Sequence, residues 1–308
     1  MPCLLLIDMT TNLRNGHDHL EKIQPWRFYW DWLSSTLPIL GLAYFCETVS
    51  FAAYPIAVYI IGNRFFRLSI LGHEGVHGLI SRSRRWNDFL ARYFCHFPTF
   101  ISHSRYKSLH LLHHRYLGTQ SDPDVYIFEE FPEPFRKWAG RIVVDLLIGR
   151  ILYHFLAHFS ELQERIGALL GRPRHQLAIV RSDFIEYCVF WILLFTAISH
   201  WGVWYYATLY YFLPAYLHLP IIQIVNGMQH GAFHEKIGTR SQIVQEWMAE
   251  LTIPLHLNLH YEHHLNTKIP HYNLPSLSSS LREQQAVPPN CHMSLADSVK
   301  ILFRPDHL

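Results

Sequence analysis

Apolar residues run almost without interruption from Leu33 to Leu71. A helix needs roughly 20 residues to cross a hydrocarbon core about 30 Å thick, and this stretch is about twice that length. It predicts a helical hairpin that turns near Glu47 and Thr48 and whose second arm runs straight into the segment ILGHEGVH. A second pair of apolar runs, Phe184–His200 and Val203–Val225, is separated only by Trp201 and Gly202, which leaves room for nothing but a tight turn. The Val203–Val225 run predicts a helix ending at Val225. Between the hairpins, Arg141–Ser160 is apolar but interrupted by Asp145, Arg150, His154 and His158, the pattern of an amphipathic helix lying at a membrane interface. After Ser276 the chain reads as polar loop and surface helix, a polar tail at about 278–308. No internal repeat is visible, so residues 1–308 are expected to form a single domain with hairpins at about 33–71 and 184–225.

Composition sharpens this picture. Half of the 308 residues are hydrophobic and only 16% are charged, against about 25% in an ordinary soluble domain. The formal net charge is +2, too small to suggest a nucleic-acid partner. The cysteines, Cys3, Cys46, Cys95, Cys188 and Cys291, are scattered with no CxxC pair, which argues against a disulfide framework or a zinc ribbon. The start of the chain is not expected to be a signal peptide, because no basic residue precedes its short apolar run. Basic residues flank the hairpins: Arg14, Lys22 and Arg27 before the first, Arg82, Arg84, Arg85, Arg92, Arg105, Lys107 and Arg115 after it, Arg165, Arg172, Arg174 and Arg181 before the second, and Arg240 beyond it. The hairpin tips have none. The positive-inside rule then puts the termini and the histidine-rich segments on the cytoplasmic side. A soluble helical protein is the competing reading, but its core helices are usually shorter than these runs.

The chain has 23 histidines, and four clusters stand out. They are His73–Glu74–Gly75–Val76–His77, His110–Leu111–Leu112–His113–His114, Asn226–Gly227–Met228–Gln229–His230 and His260–Tyr261–Glu262–His263–His264. Residues three and four apart share one face of a helix, so each cluster can aim its ring nitrogens at one point. Neutral imidazole suits iron, copper, nickel and zinc. The histidines of the HxxxH and two HxxHH boxes exceed the needs of one tetrahedral metal, so two ions are expected to share them. Taken alone, His73–Glu74–His77 also fits a zinc-hydrolase motif with Glu74 as general base, but that reading leaves both HxxHH boxes unexplained. Glu74, Glu262, Asp122 and Asp124 are candidates to accept the outer N–H of a ligating imidazole. The remaining histidines, including His96, His103, His271 and His292, are expected to pack or to sit at an interface.

The order HxxxH, HxxHH, HxxHH, with paired apolar hairpins, resembles the integral-membrane fatty acid desaturase superfamily, which includes hydroxylases and carotenoid ketolases. The segments EHHLNTKIPHYNLPSL and HLLHHRYLGTQSDPD carry the resemblance most closely, and it covers about Leu33 to Leu277. It implies an all-α membrane protein with about four transmembrane helices in two hairpins, and a cytoplasmic helical cap carrying the histidine boxes. It also implies two non-haem irons that use O2 to take hydrogen from an unactivated carbon. His73, His77, His110, His113, His114, His260, His263 and His264 match the boxes. Some members add an Asn-x-x-x-His pair in which the Asn binds through water; Asn226 and His230 match that spacing, and His234 is a rival to His230.

The expected activity is desaturation of a lipid or fatty acyl chain. Hydroxylation and ketolation share its first step, and substrate placement decides among them. The chain has no His-Pro-Gly-Gly segment of the cytochrome b5 type, no ferredoxin cysteine pattern and no GxGxxG loop. Electrons are therefore expected from a separate donor of the ferredoxin or cytochrome b5 type.

Overall fold

The computed structural model of the protein describes residues 17–125, 131–148, 181–231 and 238–304. Arg14, Arg150, His154, His158, Arg165, Arg172, Arg174, His175 and His234 lie outside the described residues.

Helices occupy both stretches where hairpins are expected. Helix α1 (Pro25–Thr48) and helix α2 (Tyr54–Val76) form the first, turning after Glu47 and Thr48 as the sequence suggests. Proline opens each helix within its first turn, where its missing N–H costs nothing. Helix α3 (Arg84–Leu90) continues through a π-helical turn, Ala91–His96, and leads to helix α4 (His103–Tyr116). Helix α5 (Phe135–Ile148) follows. It begins before the predicted Arg141. Trp138 and Ile142 are buried on one face, while Val143 and Leu147 are exposed.

Helix α6 (Arg181–His200) and the long helix α7 (Trp204–His230) form the second hairpin. Gly202 turns between them at φ +64°, a conformation that costs glycine little. Helix α7 does not stop at Val225. Its hydropathy falls there, but Gly231 N–H still donates to the Gly227 carbonyl at 2.6 Å. The polar residues after Val225 face inward instead of ending the helix: Gln229 and His230 are buried.

By length and apolarity, only the second hairpin's helices, Asp183–His200 and Trp204–His230, qualify as membrane spans among the described residues. The expected first pair is helical and paired, but α2 carries Arg64 and Arg67, and α1 is rich in Trp, Tyr, Ser and Thr, which lower its hydropathy. Its outward face is nonetheless apolar, with Leu33, Leu37 and Leu40 exposed. Exposed Ile185, Val189, Ile192 and Leu193 mark the corresponding face of α6.

The two hairpin tips meet. Tyr210 donates to Glu47 Oε1 at 2.6 Å and Tyr54 to the Leu209 carbonyl at 2.9 Å. Helices α2 and α7 thus leave one end side by side and deliver His73 and His230 to the other. Arg67 on α2 pairs with Asp31 on α1 at 3.0 Å, both buried. Removing one partner of such a pair costs about 3–5 kcal/mol, because it leaves a charge stranded in the core.

The cap holds helices α8 (Glu246–Thr252), α9 (His260–Leu265), α10 (Leu274–Glu283) and α11 (Leu295–Lys300). Two short parallel strand pairs stitch it together: β1 (Glu133–Pro134) with β4 (Phe303–Arg304), and β2 (Ser241–Ile243) with β3 (His292–Ser294). The tail is therefore more than polar surface. Leu281 and Leu302 are fully buried, Leu302 in the same core as Phe66, Ile70 and Met228.

Candidate metal centre

Each histidine box is placed by a different local device. Box one is the end of α2, so His73 and His77 follow from helical continuation. Box two sits on α4, which Ser102 caps by accepting the Arg105 N–H. Asp183 on α6 accepts from both the Ser102 hydroxyl and the Ser104 N–H, so the second hairpin fixes where α4 begins. A cap of this kind stabilises by about 1 kcal/mol. Box three lies on the short α9, whose Tyr261 N–H donates to Ser241 Oγ on β2 at 2.9 Å. His230 arrives on α7, where Gly227 lets Phe131 pack against the helix backbone. A Cβ at Gly227 would stand 2.5 Å from Phe131 Cε2.

These devices bring all nine predicted histidines together in two adjoining groups. His73, His77, His110, His114 and His263 form one; His113, His230 and His264 form the other, with ligand atoms inside each group within 4.8 Å of one another. His260 joins the second group, its Nε2 lying 2.8 Å from His230 Nε2 and 3.1 Å from His264 Nε2. In the first group, His110 Nε2 lies 2.8 Å from His73 Nε2, 3.0 Å from His77 Nε2 and 2.8 Å from His114 Nε2. The groups adjoin through His114 and His264, whose rings stack at 4.1 Å.

Burial holds His73, His77, His110, His114, His260, His263 and His264 below the ordinary histidine range, and neighbouring imidazoles add to the effect. Burial also opposes charge on His113. The hydrogen bond with Asp122 and the charges of Asp124 and Asp122 outweigh it and raise the pKa. Neutral rings whose Nε2 atoms face one another can supply only one proton per contact. The convergent lone pairs therefore suit cations, and a nitrogen-only donor set fits first-row transition metals.

The outer partners are more varied than the sequence suggests. Asp122 Oδ1 lies 2.9 Å from His113 Nδ1 and its Oδ2 accepts the Gly118 N–H at 2.8 Å; Asp124 is further, at 3.9 Å. Glu74 Oε1 is 4.0 Å from His73 Nδ1. Glu262 does not reach a box histidine through any of its hydrogen bonds. It accepts from Ser241 Oγ and His292 Nε2, the latter at 2.7 Å, and ties α9 to the β2–β3 pair. The reason is register: Glu262 lies two residues from His260 and His264, on the opposite face of α9. Asn226 is half-buried one turn before His230 on α7. His96 and His103 pack against each other, Nδ1 to Nδ1 at 2.9 Å, outside both groups. Sequence reasoning missed the supporting roles of Ser241, His292 and Asp183, which come from distant elements and carry no local spacing signal.

Residues 50–292 match the fatty acid desaturase family. The chain belongs to that family. All nine clustered histidines fall inside the matched segment of this desaturase-family protein. Among relatives, it is 26% identical over 172 residues to dihydrorhizobitoxine desaturase of Bradyrhizobium elkanii, covering 54% of this chain and 48% of that protein; the chain spans about half that relative's length. It is 23% identical over 270 residues to the sn-1 acyl-lipid omega-3 desaturase (ferredoxin) of Nostoc sp. (strain 36), covering 79% and 72%. It is 27% identical over 214 residues to the beta-carotene ketolase of Paracoccus sp. (strain N81106 / MBIC 01143), covering 68% and 72%.

Proposed function

We propose that this protein is a membrane-bound di-iron oxidoreductase that uses O2 and external electrons to desaturate a lipid or fatty acyl chain. The observation that carries the reading is the pair of adjoining nitrogen-rich groups, five histidines beside four, in a chain of the desaturase family. His73, His77, His110, His114 and His263 would hold one ion; His113, His230, His260 and His264, with Asn226 through water, would hold the other. Two irons held there would supply the activation of dioxygen that removes hydrogen from an unactivated carbon. The chain's own contribution is to keep the imidazoles neutral by burial and to hold His113 through Asp122. Glu74 is buried and already accepts the His271 N–H, which disfavours the alternative of a zinc-hydrolase base at that position.

The membrane reading keeps four spans in two hairpins, with termini and metal centre on the cytoplasmic side. The apolar outer faces of α1 and α6 support it. So do Trp201, Trp204 and Tyr205, exposed at the tip end in the manner of an interfacial aromatic belt. The relatives named as ferredoxin-dependent support a ferredoxin-type donor, with a cytochrome b5 type as the alternative. The similarity to a beta-carotene ketolase supports a second reading, oxygen insertion by the same centre as a hydroxylase or ketolase.

Lipid mass spectrometry of cells expressing the protein, with and without a reducing partner, tests the proposal. Loss of two hydrogens from a lipid supports desaturation, and gain of oxygen supports the second reading. Turnover that needs neither O2 nor reductant would overturn both.

A further inference from the structure

A line of buried polar groups runs from the first histidine group back into the helical hairpin. Glu74 Oε1 faces His73 Nδ1 at 4.0 Å, and that nitrogen is buried with no hydrogen-bond partner among the described residues. Glu74 Oε2 accepts the backbone N–H of His271 at 2.9 Å. The His271 ring meets Asp31 Oδ2 at 3.2 Å, Asp31 Oδ1 pairs with Arg67 at 3.0 Å, and Arg67 Nε lies 3.0 Å from Glu250 on α8. Glu74, His271, Asp31 and Arg67 are all buried. Separate pieces of chain thus form a series of contacts that ends, through the His271 N–H, on one carboxylate whose other oxygen is turned toward His73.

A ring that binds metal through Nε2 must carry its proton on Nδ1, and a carboxylate behind Nδ1 selects that tautomer and fixes the ring plane. We propose that His271, Asp31 and Arg67 are positioning residues for His73: they hold Glu74 beside that ring, 4.0 Å from Nδ1, where a small approach on metal binding lets it accept the outer N–H. The proposal rests on the reading of His73 as a metal ligand. It also explains the segment IPHYNLP, in which His271 supplies one N–H to Glu74 and one ring nitrogen to Asp31, and so joins the metal centre to α1. Asp31 and Arg67, two of the charged residues buried within the first hairpin, are accounted for in the same way.

The consequences differ along the line. In Glu74→Gln the amide has a single acceptor oxygen. If it stays on the His271 N–H, an NH2 group faces His73 Nδ1 and favours the wrong tautomer. If it flips, the His271 anchor is lost. His271→Pro removes the anchoring N–H, whereas His271→Ala keeps it and cuts only the link to Asp31. Asp31→Asn acts through two intermediaries.

The test is the rate at which the full chain, loaded with ferrous iron in detergent, releases iron to a chelator, read beside the melting temperature of each variant. Glu74→Gln and His271→Pro are expected to weaken iron binding about 10–100-fold, the usual effect of losing an outer partner of a ligating histidine. His271→Ala and Asp31→Asn are expected to weaken it less, although Asp31→Asn, which breaks a buried ion pair, loses the most thermal stability. Iron release that follows melting temperature instead of distance from His73 would overturn the proposal, as would Glu74→Gln retaining iron like the parent. Should His271→Pro fail to fold, the near-isosteric Glu74→Gln still decides the matter. His73→Ala is the control: unchanged iron retention there would overturn the metal reading itself.

Discussion

His230 Nε2 lies 2.8 Å from His260 Nε2, although one residue ends a long apolar helix and the other opens a short helix in the cap. The contact brings the fourth cluster into the centre. It predicts that His230→Ala loses iron and activity together. Asn226→Ala, one turn away and half-buried, should reduce turnover more than occupancy, since water can fill the place of a water-bridged group. His234→Ala should be milder than His230→Ala. Iron analysis of the three variants checks the order; loss confined to His234→Ala would move the ninth ligand one helical turn.

The division into two groups predicts separable losses. Purified protein should hold close to two iron equivalents per chain. His77→Ala should empty mainly the group of His73, His110, His114 and His263, and His264→Ala mainly the group of His113, His230 and His260. Each should retain about one equivalent while turnover falls to background. Simultaneous loss of both ions from either variant would show that the groups bind as one unit.

Asp122 anchors His113 at 2.9 Å and is itself held by the Gly118 N–H. Asp122→Asn keeps the shape but offers at most one acceptor oxygen to those two partners. Metal affinity should fall about 10–100-fold, measured by competition with a chelator, with the helical circular dichroism unchanged. Parent-like affinity would assign Asp122 to loop structure alone.

Acid should destabilise the metal-free protein. Seven rings are held below their ordinary value by burial, so below about pH 6.5 the unfolded chain binds protons that the folded chain refuses. Their contribution is complete above that pH and is lost as pH falls. His113, with a raised pKa, works the other way: its contribution is complete below about pH 6.5 and is lost as pH rises through its folded value. Seven against one sets the net sign. Thermal melts between about pH 8 and pH 5 should show a falling midpoint, and a flat or rising profile would contradict a neutral cluster.

Gly227 gives a packing test away from the ligands' own chemistry. Adding a methyl there drives Phe131 from the helix, and overpacking of this kind costs about 1–3 kcal/mol. Gly227→Ala should lower the melting temperature and loosen His230. Unchanged stability would mean that Phe131 can move at no cost.

Much of this architecture can be read along the chain, because hairpins and helical boxes are local. Two apolar runs joined by Trp201–Gly202 can only turn back, and His110, His113 and His114 can only share a helix face. What stays hidden depends on distant partners. Nothing near Ser241 announces that it caps the helix of His260, and nothing near His292 announces that it meets Glu262. The register of Glu262 is legible in hindsight, since it lies two positions from His260 and from His264, on the other side of α9. The end of α7 is hidden for another reason: hydropathy reports the surroundings of side chains, and the backbone ladder continues past Val225 into the polar interior. Membrane assignment of the first hairpin is obscured by Arg64 and Arg67, whose charges are balanced inside the fold by Asp31 and Glu250.

The interleaving of the histidine boxes sets an order of manufacture. His114 and His263 stand 3.2 Å apart at Nε2 but 149 positions apart in the chain. At about 5–20 residues per second, a ribosome needs roughly 7–30 s to travel that distance. For that interval the nascent chain carries box one and box two without box three. Closure waits still longer, because β2 finds β3 only when residues 292–294 have emerged. Under the proposed di-iron reading, metal selection would thus be a race between ligands made early and ligands made late, and the availability of iron during synthesis would bear on which ion the finished protein keeps.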